Sequence, residues 1–159
     1  MKTRHKNIPF FIPHEGCGFR CIFCSQTKIT GVCRSAEQTA EECRELAETV
    51  EASLMTLHDG DSAEIAFFGG SFTGIERERM ISLLETAEKY IGDRITGIRL
   101  STRPDYIDGE ICDILKAHGV TAVELGIQSV SDRVLDQNRR GHHSDVSEKA
   151  CYILKENGF

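Results

Sequence analysis

Apolar residues along this chain follow two alternating rhythms. The stretches "IPFFIP" (8–13), "EIAFFGG" (64–70), "GIRLST" (97–102) and "TAVELGIQS" (121–129) are short, and most are rich in β-branched or aromatic residues, which predicts strands. Between them the apolar positions recur at helical spacing. A long helix is expected from Ser35 to about His58, with Cys43, Leu46, Ala47, Val50, Leu54 and Leu57 as its stripe. Ser35 is its expected cap, with Gln38 as the capping-box partner. A second helix (76–91) puts Met80, Leu84, Ala87 and Ile91 on one face, and a third (108–118) stops at Gly119. A helical turn (131–137) and a last helix (144–157), ending at Gly158, complete the pattern. Strand followed by helix, repeated, predicts a parallel sheet with right-handed crossovers.

Alternation within the strands narrows the fold. In the fourth, Val123, Leu125 and Ile127 oppose Ala122, Glu124, Gly126 and Gln128; in the third, Ile98 and Leu100 oppose Arg99, Ser101 and Arg103. Parallel strands covered by helices on both faces are apolar on both. A sheet covered twice would bury these charges at a cost of several kcal/mol each. A barrel would instead turn them toward a central chamber. The fold class expected is therefore α/β, a partial (β/α) barrel of about four βα units, since four strands do not close one. Arg99 and Glu124, inward on neighbouring strands, are expected to pair, because an unpaired charge there is costly.

Composition adds constraints. The chain has 159 residues, 40% hydrophobic and 28% charged, enough for one cored domain. It shows neither a membrane-length apolar run nor a signal-peptide start, so a cytoplasmic location with no membrane partner is expected. Seven cysteines, three of them clustered, favour metal or redox chemistry over a disulfide framework. A net charge of −6 weighs against a broadly basic nucleic-acid surface. Two small basic groups remain, Lys2, Arg4 and Lys6, and Arg139, Arg140, His142 and His143; each reads as a local anion contact or as a solvated segment.

All four strand ends carry residues unsuited to a core: "HEGCGFRCIFC", "GGSFTG", "STRPD", and "QS" with "NRRGHH". Carboxyl ends of parallel barrel strands are where active sites sit. Cys17, Cys21 and Cys24 span eight residues on a loop containing Gly16 and Gly18. A cubane iron–sulfur cluster commonly takes four cysteines, so three leave one iron open. Zinc completed by His14 is the chemical rival. Cys33, Cys43, Cys112 and Cys151 read as core or incidental. Gly69 and Gly70 let backbone approach a ligand, or simply make a turn. Arg103 is placed to face a carboxylate or phosphate, or to form an ordinary ion pair.

"CGFRCIFC", with Phe23 before its last cysteine, resembles the signature of the radical S-adenosylmethionine (SAM) superfamily. "FFGGSFTG", "STRPDYI" and "ELGIQSVSDRVLDQNRRGH" resemble the branch containing the Elongator complex catalytic subunit and its bacterial and archaeal relatives, over residues 8–159. The resemblance implies a [4Fe-4S] cluster on Cys17, Cys21 and Cys24, with SAM on the open iron. One-electron cleavage would then give a 5′-deoxyadenosyl radical that abstracts hydrogen from a substrate. It implies SAM contacts at Gly69, Gly70 and Ser71 (methionyl amino group), Ser101, Arg103, Gln128 (ribose or methionyl group) and Arg140 (carboxylate). Ser71 stands where many members carry an acidic residue, and Ser101 where related enzymes often have Glu. The implied partners are a tRNA substrate and an electron donor such as a flavodoxin or ferredoxin. Residues 1–159 would be the N-terminal portion of a radical SAM domain, with its cluster loop at 14–34 and without an acetyltransferase domain. The alternative is a non-catalytic zinc or iron–sulfur binding module.

Overall fold

The computed structural model describes residues 4–12, 17–24 and 36–159. Four parallel strands, β1 (His5–Ile12), β2 (Ser62–Gly69), β3 (Ile95–Thr102) and β4 (Val120–Leu125), pair in the order β1-β2-β3-β4. Helices α1 (Ala36–Thr56), α2 (Arg77–Glu88) and α3 (Gly109–Ala117) form the crossovers, and α4 (Asp132–Gln137) and α5 (Ser144–Glu156) follow β4. Because spatial order repeats chain order, every right-handed crossover advances in one direction, which lays the helices on one face. The expected α/β partial barrel is the fold observed.

Side-chain caps start two of the helices. Glu76 accepts from the amides of Glu78 (2.9 Å) and Arg79 (2.8 Å) to start α2. Asp108 accepts from Ile111 N at 2.8 Å to start α3, and Gly119, at φ +72°, follows its end. The expected cap at Ser35 lies outside the described residues. Ile91 falls beyond α2 and is part-exposed rather than on its buried face.

The core lies between sheet and helices. Ile8, Phe10 and Ile12 of β1, Ile65 and Phe67 of β2, and Ile98 and Leu100 of β3 pack against Leu46 and Val50 of α1 and Met80, Leu83 and Leu84 of α2. Phe72 stacks on Phe67 with centroids 4.4 Å apart, behind the end of β2. A buried Arg79–Glu42 pair, bonded at 2.7 and 2.8 Å, ties α2 to α1.

The opposite sheet face carries the polar positions. Register places Pro9, Ala66, Arg99 and Ala122 in one row across the four strands, with Ser101 beside Glu124. The expected Arg99–Glu124 pair is present, with Nη1 3.7 Å from Oε1. Arg99 Nε also lies 3.4 Å from Glu64 Oε2, a partner the alternation did not single out. Glu64 further accepts from Thr121 Oγ1 (2.5 Å) and bonds His5 Nε2 (3.1 Å). Burial pushes Glu64 upward, but the bonds to Thr121 and His5 and the Arg99 charge outweigh it and hold the carboxyl below its ordinary value.

Candidate functional site

The site is built from the carboxyl ends of the strands. Gly70 N donates to Ile12 O at 2.9 Å, drawing the end of β2 onto β1. Gly69 makes this turn at φ +111°, and a Cβ there would sit 2.5 Å from Ile12 O. Its close neighbour is therefore the adjacent strand's backbone. Ser71 is fully buried; its Oγ accepts from Arg103 N at 3.0 Å and from Thr102 Oγ1 at 3.5 Å, and Thr102 Oγ1 lies 2.7 Å from Thr73 Oγ1. Hydroxyls thus lock the ends of β2 and β3 together.

The cysteine loop is docked onto two distant segments. Cys24 N donates to Cys21 O at 3.0 Å, folding the last two cysteines into a turn. Cys21 is buried, whereas Cys17 and Cys24 are partly open. The Tyr106 hydroxyl accepts from Gly18 N at 3.2 Å, and the Arg103 guanidinium lies over the Phe19 ring, 5.0 Å from its centroid. On the other side, Ile22 N donates to Asn138 O at 3.1 Å. Phe19 also covers Gly141, where a Cβ would come within 2.3 Å of the ring.

Two guanidinium groups back this loop. Arg103 bonds Asp105 through Nε and Nη2, both at 2.8 Å, and Nη2 also donates to Arg140 O at 2.8 Å. Burial disfavours its charge, but Asp105 and the sulfurs of Cys17 and Cys21 outweigh that and raise its pKa above the ordinary arginine value. Arg140 donates from Nη1 to Cys21 Sγ at 3.5 Å and from Nη2 to Gly126 O. The solvated-segment reading of "RRGHH" therefore fails for Arg140 and His142, which are 6% and 7% exposed, and holds for Arg139 and His143. Burial keeps His142 below the ordinary histidine value, with the Arg140 charge adding to the effect.

These pieces enclose a cavity of about 370 Å³. Cys17, Cys21, Cys24, Gly69, Gly70, Ser71, Ser101, Arg103, Gln128 and Arg140, the residues that the resemblance assigned to a cluster or to SAM, line it. Gln128 arrives by an unexpected route. The fourth strand ends at Leu125, Ile127 N donates to Leu125 O at 2.9 Å in a tight turn, and Gln128 takes φ +71°. Strand alternation therefore does not extend to 129. Phe19, Arg20, Phe23, Glu124 and Gly126 also line the cavity. Of these, Phe23 was visible as a motif position and Glu124 and Gly126 as inward positions, while Phe19 and Arg20 lie within the cysteine motif but were not singled out.

The donor set suits a cluster with a polar ligand beside it. Three thiols from one loop stand at the cavity wall, and Arg103 Nη1 and Arg140 Nε are buried without hydrogen-bond partners among the described residues. Among the described residues no three His, Cys, Asp or Glu side chains converge on a single metal ion. His14, the proposed fourth zinc ligand, lies outside the described residues, as do Gly16 and Cys33.

Comparison with known proteins agrees with this geometry. The family model described as "Radical SAM superfamily" matches residues 11–159. A provisionally named methylthiotransferase of Methanocaldococcus jannaschii is 28% identical over 148 residues, covering 91% of this chain and 32% of that protein. A tRNA uridine(34) acetyltransferase of Methanocaldococcus infernus is 33% identical over 121 residues, 64% of this chain and 22% of its own length. The chain thus spans a third or less of these relatives. Among solved structures, Elp3 of Methanocaldococcus infernus lacking residues 1-46 aligns with TM-score 0.58 at 20% identity, covering 94% of this chain and 35% of that one. Coproporphyrinogen III oxidase of Escherichia coli aligns with TM-score 0.60 at 18% identity, covering 99% and 35%. These two share the fold.

Proposed function

This chain belongs to the radical SAM superfamily, and from that premise we propose that it holds a [4Fe-4S] cluster on Cys17, Cys21 and Cys24 and binds SAM in the adjoining cavity for reductive cleavage. The supporting observation is convergence: the three cysteines and seven candidate SAM contacts, drawn from all four strand ends, line one cavity. When bound, the cluster and SAM would supply one-electron cleavage of a sulfonium C–S bond.

The chain's own part is to hold and to shelter. Cys21, the buried member of the three, would anchor the cluster, with Cys17 and Cys24 on either side of it in the loop. Gly126 leaves room beside Gln128 and Arg140, since a Cβ there would lie 3.4 Å from Gln128 Nε2 and 3.1 Å from Arg140 Nη2. Ser71 Oγ already accepts from Arg103 N and Thr102 Oγ1, so its oxygen holds together the strand ends that frame the cavity and is not free to accept from the methionyl amino group. The Arg103 and Arg140 nitrogens without partners would suit a carboxylate. The proposed substrate class is tRNA, supported by the tRNA-directed name of the Methanocaldococcus infernus relative. A small electron-transfer protein of the flavodoxin or ferredoxin type is the proposed reductant.

Anaerobic reconstitution with iron and sulfide tests the reading. The expected result is about four irons per chain, lost on replacing any of the three cysteines with alanine, and 5′-deoxyadenosine on adding SAM and dithionite. One tightly held zinc and no nucleoside product would establish the binding-module alternative instead.

A further inference from the structure

We propose that Arg140 acts on the cluster ligand Cys21, donating a charge-assisted hydrogen bond to its sulfur and so raising the reduction potential of the cluster. This rests on the function proposed above, and it gives Arg140 a role other than the SAM-carboxylate contact that the resemblance implies.

The contact is tertiary and buried. Arg140 Nη1 lies 3.5 Å from Cys21 Sγ across 119 residues of sequence, and the two residues are 6% and 7% exposed. The side chain is held in this pose from several directions. Nη2 donates to Gly126 O, and the absence of a Cβ on Gly126 leaves it room. The backbone is fixed by the end of α4. Arg139 takes φ +54°, Arg139 N donates to Asp136 O at 2.9 Å, and Arg140 N donates to Leu135 O at 2.9 Å. That double bond pattern is the Schellman turn, which swings Arg140 back toward the cysteine loop. Its carbonyl then accepts from Arg103 Nη2 at 2.8 Å.

Charge separates the two arginines. Arg103 is neutralised by Asp105, which it grips with two bonds. Arg140 has no carboxylate within 4.0 Å among the described residues, and its Nη1 is turned to the sulfur instead. Reduction adds negative charge to a buried cluster, and a neighbouring cation with a donor on the ligating sulfur favours the reduced form. Partners that orient and polarise first ligands tune a centre in this way.

The test is an EPR-monitored redox titration, without SAM, of the reconstituted chain as wild type, R140K, R140Q and R140M, with SAM dissociation constants for each. The midpoint is expected to move to more negative potential in R140Q and R140M, and less far in R140K, which keeps the charge but not the fork. A SAM affinity weakened about tenfold or more with an unmoved midpoint would make Arg140 a cofactor ligand and overturn the proposal. Unmoved midpoints in all variants would do the same. Loss of the cluster from all three variants, with wild-type circular dichroism, would also overturn it, because a tuning contact is not needed for assembly. If R140M alone fails to take up iron, R140K and R140Q decide the outcome. A wild-type chain that takes up no cluster refutes the proposed function itself, and this inference falls with it.

Discussion

Replacing Gly69 with alanine separates two explanations for the glycine pair at the end of β2. One is room for a cofactor; the other is the geometry of the sheet itself. The residue sits at φ +111°, outside the range of L side chains, and such a conformation costs a non-glycine residue about 1–3 kcal/mol. The new Cβ would also meet Ile12 O at 2.5 Å. That oxygen cannot rotate aside, since it is backbone and already accepts from Gly70 N at 2.9 Å. Relief requires a shift of β1 against β2, and overpacking of this kind costs about 1–3 kcal/mol. Together these come to about 2–6 kcal/mol, a large share of an ordinary domain's stability, and at about 2–4 °C per kcal/mol for a chain of this size they lower Tm by at least about 4 °C. The assay is thermal and urea denaturation of the metal-free chain, in which no cofactor can contribute. G109A is the control: Gly109 opens α3 with a non-left-handed φ and nothing within 4 Å of an added Cβ. It is expected to gain about 0.5–1 kcal/mol. The reasoning fails if G69A melts with the wild type when metal-free and loses only SAM binding.

The other expected outcomes address the polar face and the loop. Glu64 is held below its ordinary 4.5, so its contribution is complete above that value and is lost as pH falls through the lower folded value. Urea midpoints of E64Q should therefore vary less with pH than wild type across about pH 3–5, and equal slopes would refute the assignment. Arg99→Glu should destabilise, and adding Glu124→Arg should recover less than half of the loss, because Glu64 stands closer (3.4 Å) than Glu124 (3.7 Å) and would then face a like charge; full recovery in urea denaturation would show that Glu124 is the dominant partner. Gly141→Ala places a side chain at φ +80° and 2.3 Å from the Phe19 ring. It should release the cysteine loop and speed iodoacetamide labelling of buried Cys21, measured by mass spectrometry, by on the order of tenfold; an unchanged rate would mean that the Phe19–Gly141 contact does not hold the loop.

How much of this was legible in the chain depends on whether the cause was local. The barrel interior was legible because period-two alternation is a property of each strand, and Arg99, Ser101 and Glu124 fell on the cavity side as expected. The same rule over-extended β4, where "ELGIQ" continues to alternate although the strand ends at Leu125 and a backbone turn carries Gln128 to the cavity. Glu64 escaped notice because its partners come from β1, β3 and β4, and only register brings them together. Arg140 was read as open to solvent or as a cofactor contact because the turn that buries it has arginine at the left-handed position where glycine usually marks such a turn. The cysteines, by contrast, stand out as candidate ligands by spacing alone, yet spacing says nothing of what holds their loop. That role falls to Tyr106, Arg103, Asn138 and Gly141, which lie far along the chain from the groups they touch. Candidate site residues therefore stand out by type, whereas the residues that position them acquire that role only when the strand ends meet. Substitutions at Gly69 and Gly141 should accordingly damage the site as severely as loss of a candidate cofactor contact, although neither offers a side chain to a ligand.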